Sequence, residues 1–322
     1  MSPALTGSAV ATHLTTSGAA SAGVPADAAP AAGLPDLADV AAWLYVPAVR
    51  PERFAKAAAA ADGVVVDLED AVHPSRRVEA RLLASEALRE PLAVPVVVRV
   101  NPPGSADFGA DIEAVTPLVE SGVVAAVRVA KVDSVEDAEL AAAATAHWGL
   151  GRRLICQLES ARAVADARQI GAVTGVHSLM LGEADLRADL GLPRGASGEA
   201  GLVLARQQVV LAARSLGLPA PVGSAFTNVT DEAGLAATSA QLRSLGFYGR
   251  SCIHPAQVSV VRAAFAPGVD EIRWAQETMT AASRLGDAAS AAGTLSDGTF
   301  VDPAIVRHAV AILARARTAE AS

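Results

Sequence analysis

Charged residues recur at one kind of place along this chain, immediately after short apolar, β-branched runs. One run ends in Asp67-Leu68-Glu69-Asp70, the next in Arg99-Val100-Asn101, and later ones in Lys131, Glu159 and Gly182-Glu183-Ala184-Asp185. Charge in a partly desolvated place is costly unless it is paired or bound to a ligand. Five such ends in succession therefore favour a site over the alternative, a salt-bridged rim with no chemistry. Glu159 and Asp185 offer hard oxygen donors from adjacent ends. An octahedral divalent ion takes such ligands and completes its shell with water and substrate, and Mg2+ is the natural choice. Arg99 presents two donors to a carboxylate or to a developing enolate oxygen and stays charged at any relevant pH, which makes it the expected substrate clamp. Asn101 reads equally as a neutral donor and as part of the Asn-Pro-Pro-Gly turn. His254, in Cys252-Ile253-His254-Pro255, reads as structural, and His73, His147, His177 and His308 have no ligand-like spacing.

The elements that must hold these residues follow from one repeated theme: an apolar run, a polar loop, then an Ala/Leu/Arg/Glu helix. Runs at Trp43–Pro47, Gly63–Leu68, Val96–Val100, Val123–Ala130, Arg153–Leu158, His177–Leu181, Ala220–Gly223 and Gly249–Ile253 predict eight strands. Helices are expected at Pro51–Ala61, Arg76–Arg89, Asp107–Glu120, Val135–His147, Ala161–Ile170, Gly198–Leu216, Glu232–Leu245 and Pro255–Phe265. Such alternation gives parallel strands with crossover helices. Eight units fit a closed (β/α)8 TIM barrel of the α/β class better than an open sheet, whose first turn would need a glycine-rich fingerprint that Val46-Pro47-Ala48-Val49-Arg50 lacks. Barrel chemistry sits at the C-terminal ends of the strands, where the charged residues fall.

Three regions are expected: a disordered leader over 1–40, rich in Ala, Ser and Thr; the barrel over 41–266; and a C-terminal helical extension or lid over 267–322. The leader lacks the basic start and continuous apolar core of a secretory signal. No apolar run spans the roughly 18 to 20 residues that a bilayer crossing needs. A cytoplasmic protein is expected. With 26 Lys and Arg against 34 Asp and Glu, the chain has no basic stripe for a phosphate backbone, which argues against nucleic acid as a partner. Cys156 and Cys252 each lie inside an apolar run and make neither a disulfide framework nor a zinc motif.

Several motifs, in order from about Trp43 to about Arg317, resemble the CitE-like branch of the HpcH/HpaI aldolase and citrate lyase family. They are Leu44-Tyr45-Val46-Pro47 with Arg50-Pro51-Glu52-Arg53-Phe54 and Lys56, Val66-Asp67-Leu68-Glu69-Asp70, Val98-Arg99-Val100-Asn101, Gln157-Leu158-Glu159-Ser160-Ala161-Arg162, Gly182-Glu183-Ala184-Asp185-Leu186 and Cys252-Ile253-His254-Pro255. The resemblance implies a Mg2+-dependent carbon–carbon lyase acting on β-hydroxyacyl-CoA thioesters such as malyl-, citramalyl- or citryl-CoA, with a 2-oxo acid as the other partner. Glu159 and Asp185 would hold the metal, and Arg99 would meet the oxo acid and the thioester oxygen. Gly182, Glu183 and Ala184 would line the substrate, Arg50 and Lys56 would meet CoA phosphates, and Asp302 would be the family's C-terminal acid, which in some members enters a neighbour's site. A homotrimer or hexamer is implied. Relatives usually read Gly-Thr-Glu-Asp-Leu where this chain has Gly182-Glu183-Ala184-Asp185-Leu186, so one acid is missing and another stands one position earlier. Two rival expectations remain: an aldolase on free hydroxy-oxo acids without CoA, and a non-catalytic assembly subunit of a lyase complex.

Overall fold

The structure, a computed structural model, describes residues 37–148, 151, 154–193, 195–285, 293–295 and 298–321. Six strands follow one another through the first half of the chain: β1 (Ala42–Pro47), β2 (Gly63–Asp67), β3 (Val96–Val100), β4 (Ala126–Val129), β5 (Leu154–Leu158) and β6 (Val176–Leu181). The helices between and after them are α1 (Phe54–Ala58), α2 (Arg77–Ala87), α3 (Phe108–Glu120), α4 (Val135–Thr145), α5 (Ala161–Ala165) and α6 (Ala167–Ala172). Beyond β6 come α7 (Glu183–Asp189), α8 (Glu199–Ser215), α9 (Glu232–Ser244), β7 (Arg250–Cys252) and α10 (Ala256–Phe265).

All the pairings of the seven-stranded sheet are parallel, in the order β6-β5-β4-β3-β2-β1-β7. The expected strand at Ala220–Gly223 is reduced to two bridges, Met180 to Val222 and Gly223 to Arg250, which join β6 to β7 and close the ring. Pro219 and Pro221 explain the reduction, since proline removes ladder donors and leaves only a short extended piece able to pair. Closure on the other side of β7 depends on Gly249, whose backbone is left-handed at φ 81° and on which a Cβ would lie 2.6 Å from the Ala41 carbonyl oxygen.

Strands buried on both faces explain the near-continuous valine runs. Outward residues such as Leu44, Val64, Val66, Val98 and Val127 pack against the helices. Inward residues form a separate plug of Trp43, Val65, Val97, Ala126, Ile155 and Met180. Leu37–Asp39 form a 3-10 helix and Val40 is buried against the plug, so the last residues assigned to the leader belong to the barrel instead. The rest of the leader, like Arg153 of the expected fifth strand, lies outside the described residues.

Helix starts follow their side chains. Ser134, Ser160 and Asp231 cap α4, α5 and α9 by accepting from Asp137, Ala163 and Gly234 backbone N–H groups. After α10, the extension consists of α11 (Val269–Leu285), a small antiparallel hairpin of β8 (Gly293–Thr294) and β9 (Phe300–Val301), and α12 (Pro303–Ala321). Ala275, Ala309 and Ile312 give α11 and α12 their own apolar seam. Arg243 donates to Glu271 at 2.7 Å, and the Arg315 guanidinium lies 4.9 Å from the Tyr248 ring centre, fastening the extension to the barrel. No helix among the described residues is long and apolar enough to cross a membrane.

Candidate active site

Above the apolar plug, the next inward positions are polar: Tyr45 on β1, Asp67 on β2, Arg99 on β3, Arg128 on β4, Gln157 on β5 and Ser251 on β7. All but Arg128 line a cavity of about 360 Å3 that also takes in Asp70, Gly182, Ala184 and Asp185. The charged strand ends thus converge on one mouth, as the barrel geometry requires.

Arg99 is held rather than free. Its Nε and Nη2 donate to the two Asp67 oxygens at 2.7 and 2.6 Å, and Nη1 lies 3.0 Å from Glu69 and 3.4 Å from Asp70. A bidentate pair of this kind fixes the plane of the guanidinium, and burial on both partners keeps water from loosening it. Lys131 pairs with Glu69 and, at 3.2 Å, with Asp70. To reach them its backbone adopts φ 49°, a left-handed conformation that costs a side-chain-bearing residue about 1 kcal/mol or more and that collects at functional sites. Burial raises the Glu69 carboxyl, with Arg99 working against the shift. Asp70 is lowered: burial alone would raise it, but the hydrogen bond with Glu69 and the charges of Arg99 and Lys131 prevail.

Glu159, one residue past β5, is 4% exposed. Its Oε1 accepts from Gln157 Nε2 at 2.5 Å, while its Oε2 is buried with no partner. Burial first, then the close approach of the Asp185 carboxyl beside it, pushes Glu159 up to about 8. Asp185 itself stands in the first turn of α7. The backbone of Gly182 runs so close that a Cβ there would meet Glu159 Cγ at 2.5 Å, so the glycine is what lets the carboxylate lie flat against the end of β6. Two adjacent carboxylates, one with an oxygen that nothing satisfies, form a donor set suited to a hard divalent cation. Among the described residues no group of three or more His, Cys, Asp or Glu side chains could hold a metal, so any ion here keeps positions for water and substrate.

Other expected residues fall differently. Glu183 borders the cavity, but both its carboxylate oxygens take Arg206 donors at 2.8 Å, so its charge serves a buried pair linking α7 to α8 and not a ligand. Ala184 leaves that side of the mouth open and without charge. Asn101 is fully buried and donates to the Leu68 carbonyl and to Asp111, which makes it a brace between β3 and α3. Arg50 is exposed and donates to Glu52 at 2.5 Å; Lys56 is exposed on α1; neither lines the cavity. Asp302 also lies outside the cavity lining of its own chain and caps α12, its Oδ1 accepting from Ala304 and Ile305 at 2.8 and 2.9 Å. His254 Nδ1 accepts from the Ala256 backbone, the structural part expected of it. Tyr45, Arg128 and Ser251 were not singled out from the sequence, because each sits inside an otherwise apolar strand run. Their signal is the strand period of two, which places them on the same face as Trp43, Ala126 and the inward end of β7.

A closed α/β barrel whose mouth gathers a carboxylate pair, a fixed arginine and a lysine defines a class of lyases and aldolases acting next to a carbonyl. Residues 42–255 match the family model described as HpcH/HpaI aldolase/citrate lyase, and the chain belongs to that family of carbon–carbon lyases. It is 36% identical over 281 residues to a citrate lyase subunit beta-like protein of Mycobacterium tuberculosis, covering 85% of this chain and 94% of that one. A (3S)-malyl-CoA thioesterase of Cereibacter sphaeroides is 32% identical over 247 residues, 74% of this chain and 81% of that one. Among solved structures, the CitE protein of M. tuberculosis in complex with magnesium, acetoacetate and coenzyme A superposes with a TM-score of 0.71 at 33% identity, covering 87% of this chain and 100% of that one.

Proposed function

We propose that this chain is a Mg2+-dependent lyase that cleaves or forms the carbon–carbon bond of a β-hydroxyacyl-CoA thioester such as malyl-, citramalyl- or citryl-CoA, giving a 2-oxo acid and an acyl-CoA. The observation that carries the reading is Glu159, whose unpartnered buried oxygen stands beside Asp185, which lines the same cavity as Arg99. Relatives bound to magnesium with acetoacetate and coenzyme A, or with oxaloacetate, support it.

Glu159 and Asp185 would hold the ion, which supplies a Lewis acid for the substrate's carboxylate and hydroxyl oxygens. Arg99 does the electrostatic work at the carbonyl. Clamped by Asp67, it lines the cavity as a guanidinium that need not reorganise as the thioester oxygen becomes an enolate, the condition under which such a charge contributes most. Lys131, held charged by Glu69 and Asp70, adds positive potential at the same rim. Proton transfer at the departing carbon is assigned to Asp302, delivered from a second copy of the chain, since in its own subunit it caps α12. Arg50 and Lys56 would meet CoA phosphates. Drawing Arg50 from Glu52 costs little, because an exposed pair contributes only about 0–1 kcal/mol. In this reading the protein is a homotrimer or hexamer in the cytoplasm.

The test is turnover of malyl-, citramalyl-, citryl- and β-methylmalyl-CoA with and without Mg2+, alongside the corresponding free acids. Metal-dependent release of a 2-oxo acid from at least one thioester and from no free acid is expected. Cleavage of free hydroxy-oxo acids at comparable rates would replace the CoA-dependent reading with the aldolase one.

A further inference from the structure

Arg128 is the largest polar side chain sealed inside the barrel, with none of its surface exposed. Its Nη1 donates to the Tyr45 hydroxyl at 2.7 Å and approaches Ser251 Oγ at 3.4 Å, while its Nε is buried with no partner. Among the described residues no carboxylate pairs with it. A buried guanidinium without a counter-charge is expensive, and an apolar side chain of the same length would serve packing better. The plug below it, Ala126, Ile155 and Met180, shows what packing alone selects at neighbouring positions.

The chemistry of the contact explains its use. Arginine has donors and no acceptor, so each hydroxyl that receives a bond from Arg128 acts there as acceptor and retains its own proton to give away. Neither Tyr45 nor Ser251 has an acceptor for that proton among the described residues, and both face the cavity. The Tyr45 ring is also flanked by two cations, with the Arg99 and Arg128 guanidiniums 4.9 and 5.3 Å from its centre, which fixes the ring and with it the direction of its hydroxyl. The floor of the cavity therefore presents two oriented O–H donors backed by a positive charge, on the wall away from the Glu159 and Asp185 pair.

We propose that Tyr45 and Ser251, oriented by the positioning residue Arg128, form a specificity-determining subsite for a second carboxylate on the 2-oxo acid, so that the site prefers 2-oxo dicarboxylates to 2-oxo monocarboxylates. This rests on the lyase reading above and adds to it the class of oxo acid.

The experiment is calorimetric binding of oxaloacetate and of pyruvate to the Mg2+-loaded full-length protein, to Tyr45→Phe, and to Arg128→Met and Arg128→Lys. Wild-type protein is expected to bind oxaloacetate at least about tenfold more tightly, as a site built for a polar group rejects the analogue that lacks it. Tyr45→Phe and Arg128→Met should bring the two affinities within about threefold by weakening oxaloacetate alone, and Arg128→Lys should recover part of the preference. Arg128→Met should melt no lower than wild type, which separates lost selectivity from lost fold. A wild-type protein with no preference, or a preference unchanged in both Tyr45→Phe and Arg128→Met, overturns this inference while leaving the lyase reading standing. A wild-type protein that binds neither acid overturns both.

Discussion

Glu159 lies under a strand end with one oxygen bonded to Gln157 and the other buried without a donor, while Asp185 crowds it from the first turn of α7. A carboxylate in that state relaxes either by taking up a proton or by taking up a cation, and Gly182 leaves the space in which it lies. Gly182→Ala should therefore push Glu159 off its position and weaken Mg2+ binding by about 10- to 100-fold, the range expected when support around a ligand is lost. Titration calorimetry checks this, and an unchanged Mg2+ affinity would show that Glu159 is not shaped by that glycine. Arg99 belongs to the same scale. Arg99→Ala should lower kcat by about 10²-fold or more, a few kcal/mol of transition-state stabilisation. Arg99→Lys should not restore it, because a single ammonium cannot span both Asp67 oxygens and still face the substrate. Near wild-type turnover in either variant would remove Arg99 from the mechanism.

The elements matter as mounts for these residues. Helix α7 carries Asp185 and is anchored to α8 through Glu183 and Arg206, with Arg206 also 2.9 Å from Glu199. Arg206→Ala would leave the buried Glu183 without its cation, while Glu199 keeps Arg187; a loss of about 3–5 kcal/mol is expected in urea denaturation, together with weaker Mg2+ binding as α7 loosens. A loss below 1 kcal/mol would show that the pair is not what holds the helix. Much of this scale was legible in the chain. Valine runs such as Val96–Val100 announce strands buried on both faces, and the charges that follow them mark the mouth. The seventh expected strand shrinks to two bridges, because the apolar content of Ala220–Gly223 hides the two prolines that limit its pairing. The helix at Glu183–Asp189 has no sequence signal, since about two turns are too short to show a period. Glu183 lines the cavity, and what the chain does not announce is its partner Arg206, which lies 23 residues away, beyond any local signal. Tyr45, Arg128 and Ser251 stayed hidden because a polar residue in an apolar run reveals its purpose only when the strands are arranged around one axis.

At the scale of the whole molecule, the site and the fold are linked through protons and the metal. The folded Glu159 carboxyl titrates near 8 and an unfolded one near 4.5, so between those values the folded state keeps a proton that the unfolded state has released. The contribution of this group to stability therefore falls as pH rises through that window, unless a cation takes the proton's place. Melting temperature measured in chelator should carry a declining component from about pH 5 to about pH 8 that is absent in Glu159→Gln, and Mg2+ should raise the wild-type value more at the upper end. An Mg2+ effect that ignores pH and survives Glu159→Gln would place the ion elsewhere. The extension has a separate role at this scale: it packs beside the barrel and leaves Asp302 outside its own mouth, so the proposed proton transfer needs another copy of the chain.

The most direct measurement is release of the 2-oxo acid from a β-hydroxyacyl-CoA thioester by wild-type protein and by Glu159→Gln, each in chelator and in Mg2+. Turnover that requires Mg2+ in the wild type and falls by about 10²-fold or more in Glu159→Gln is the predicted result. Turnover that persists in chelator, or that survives in Glu159→Gln, would contradict the account.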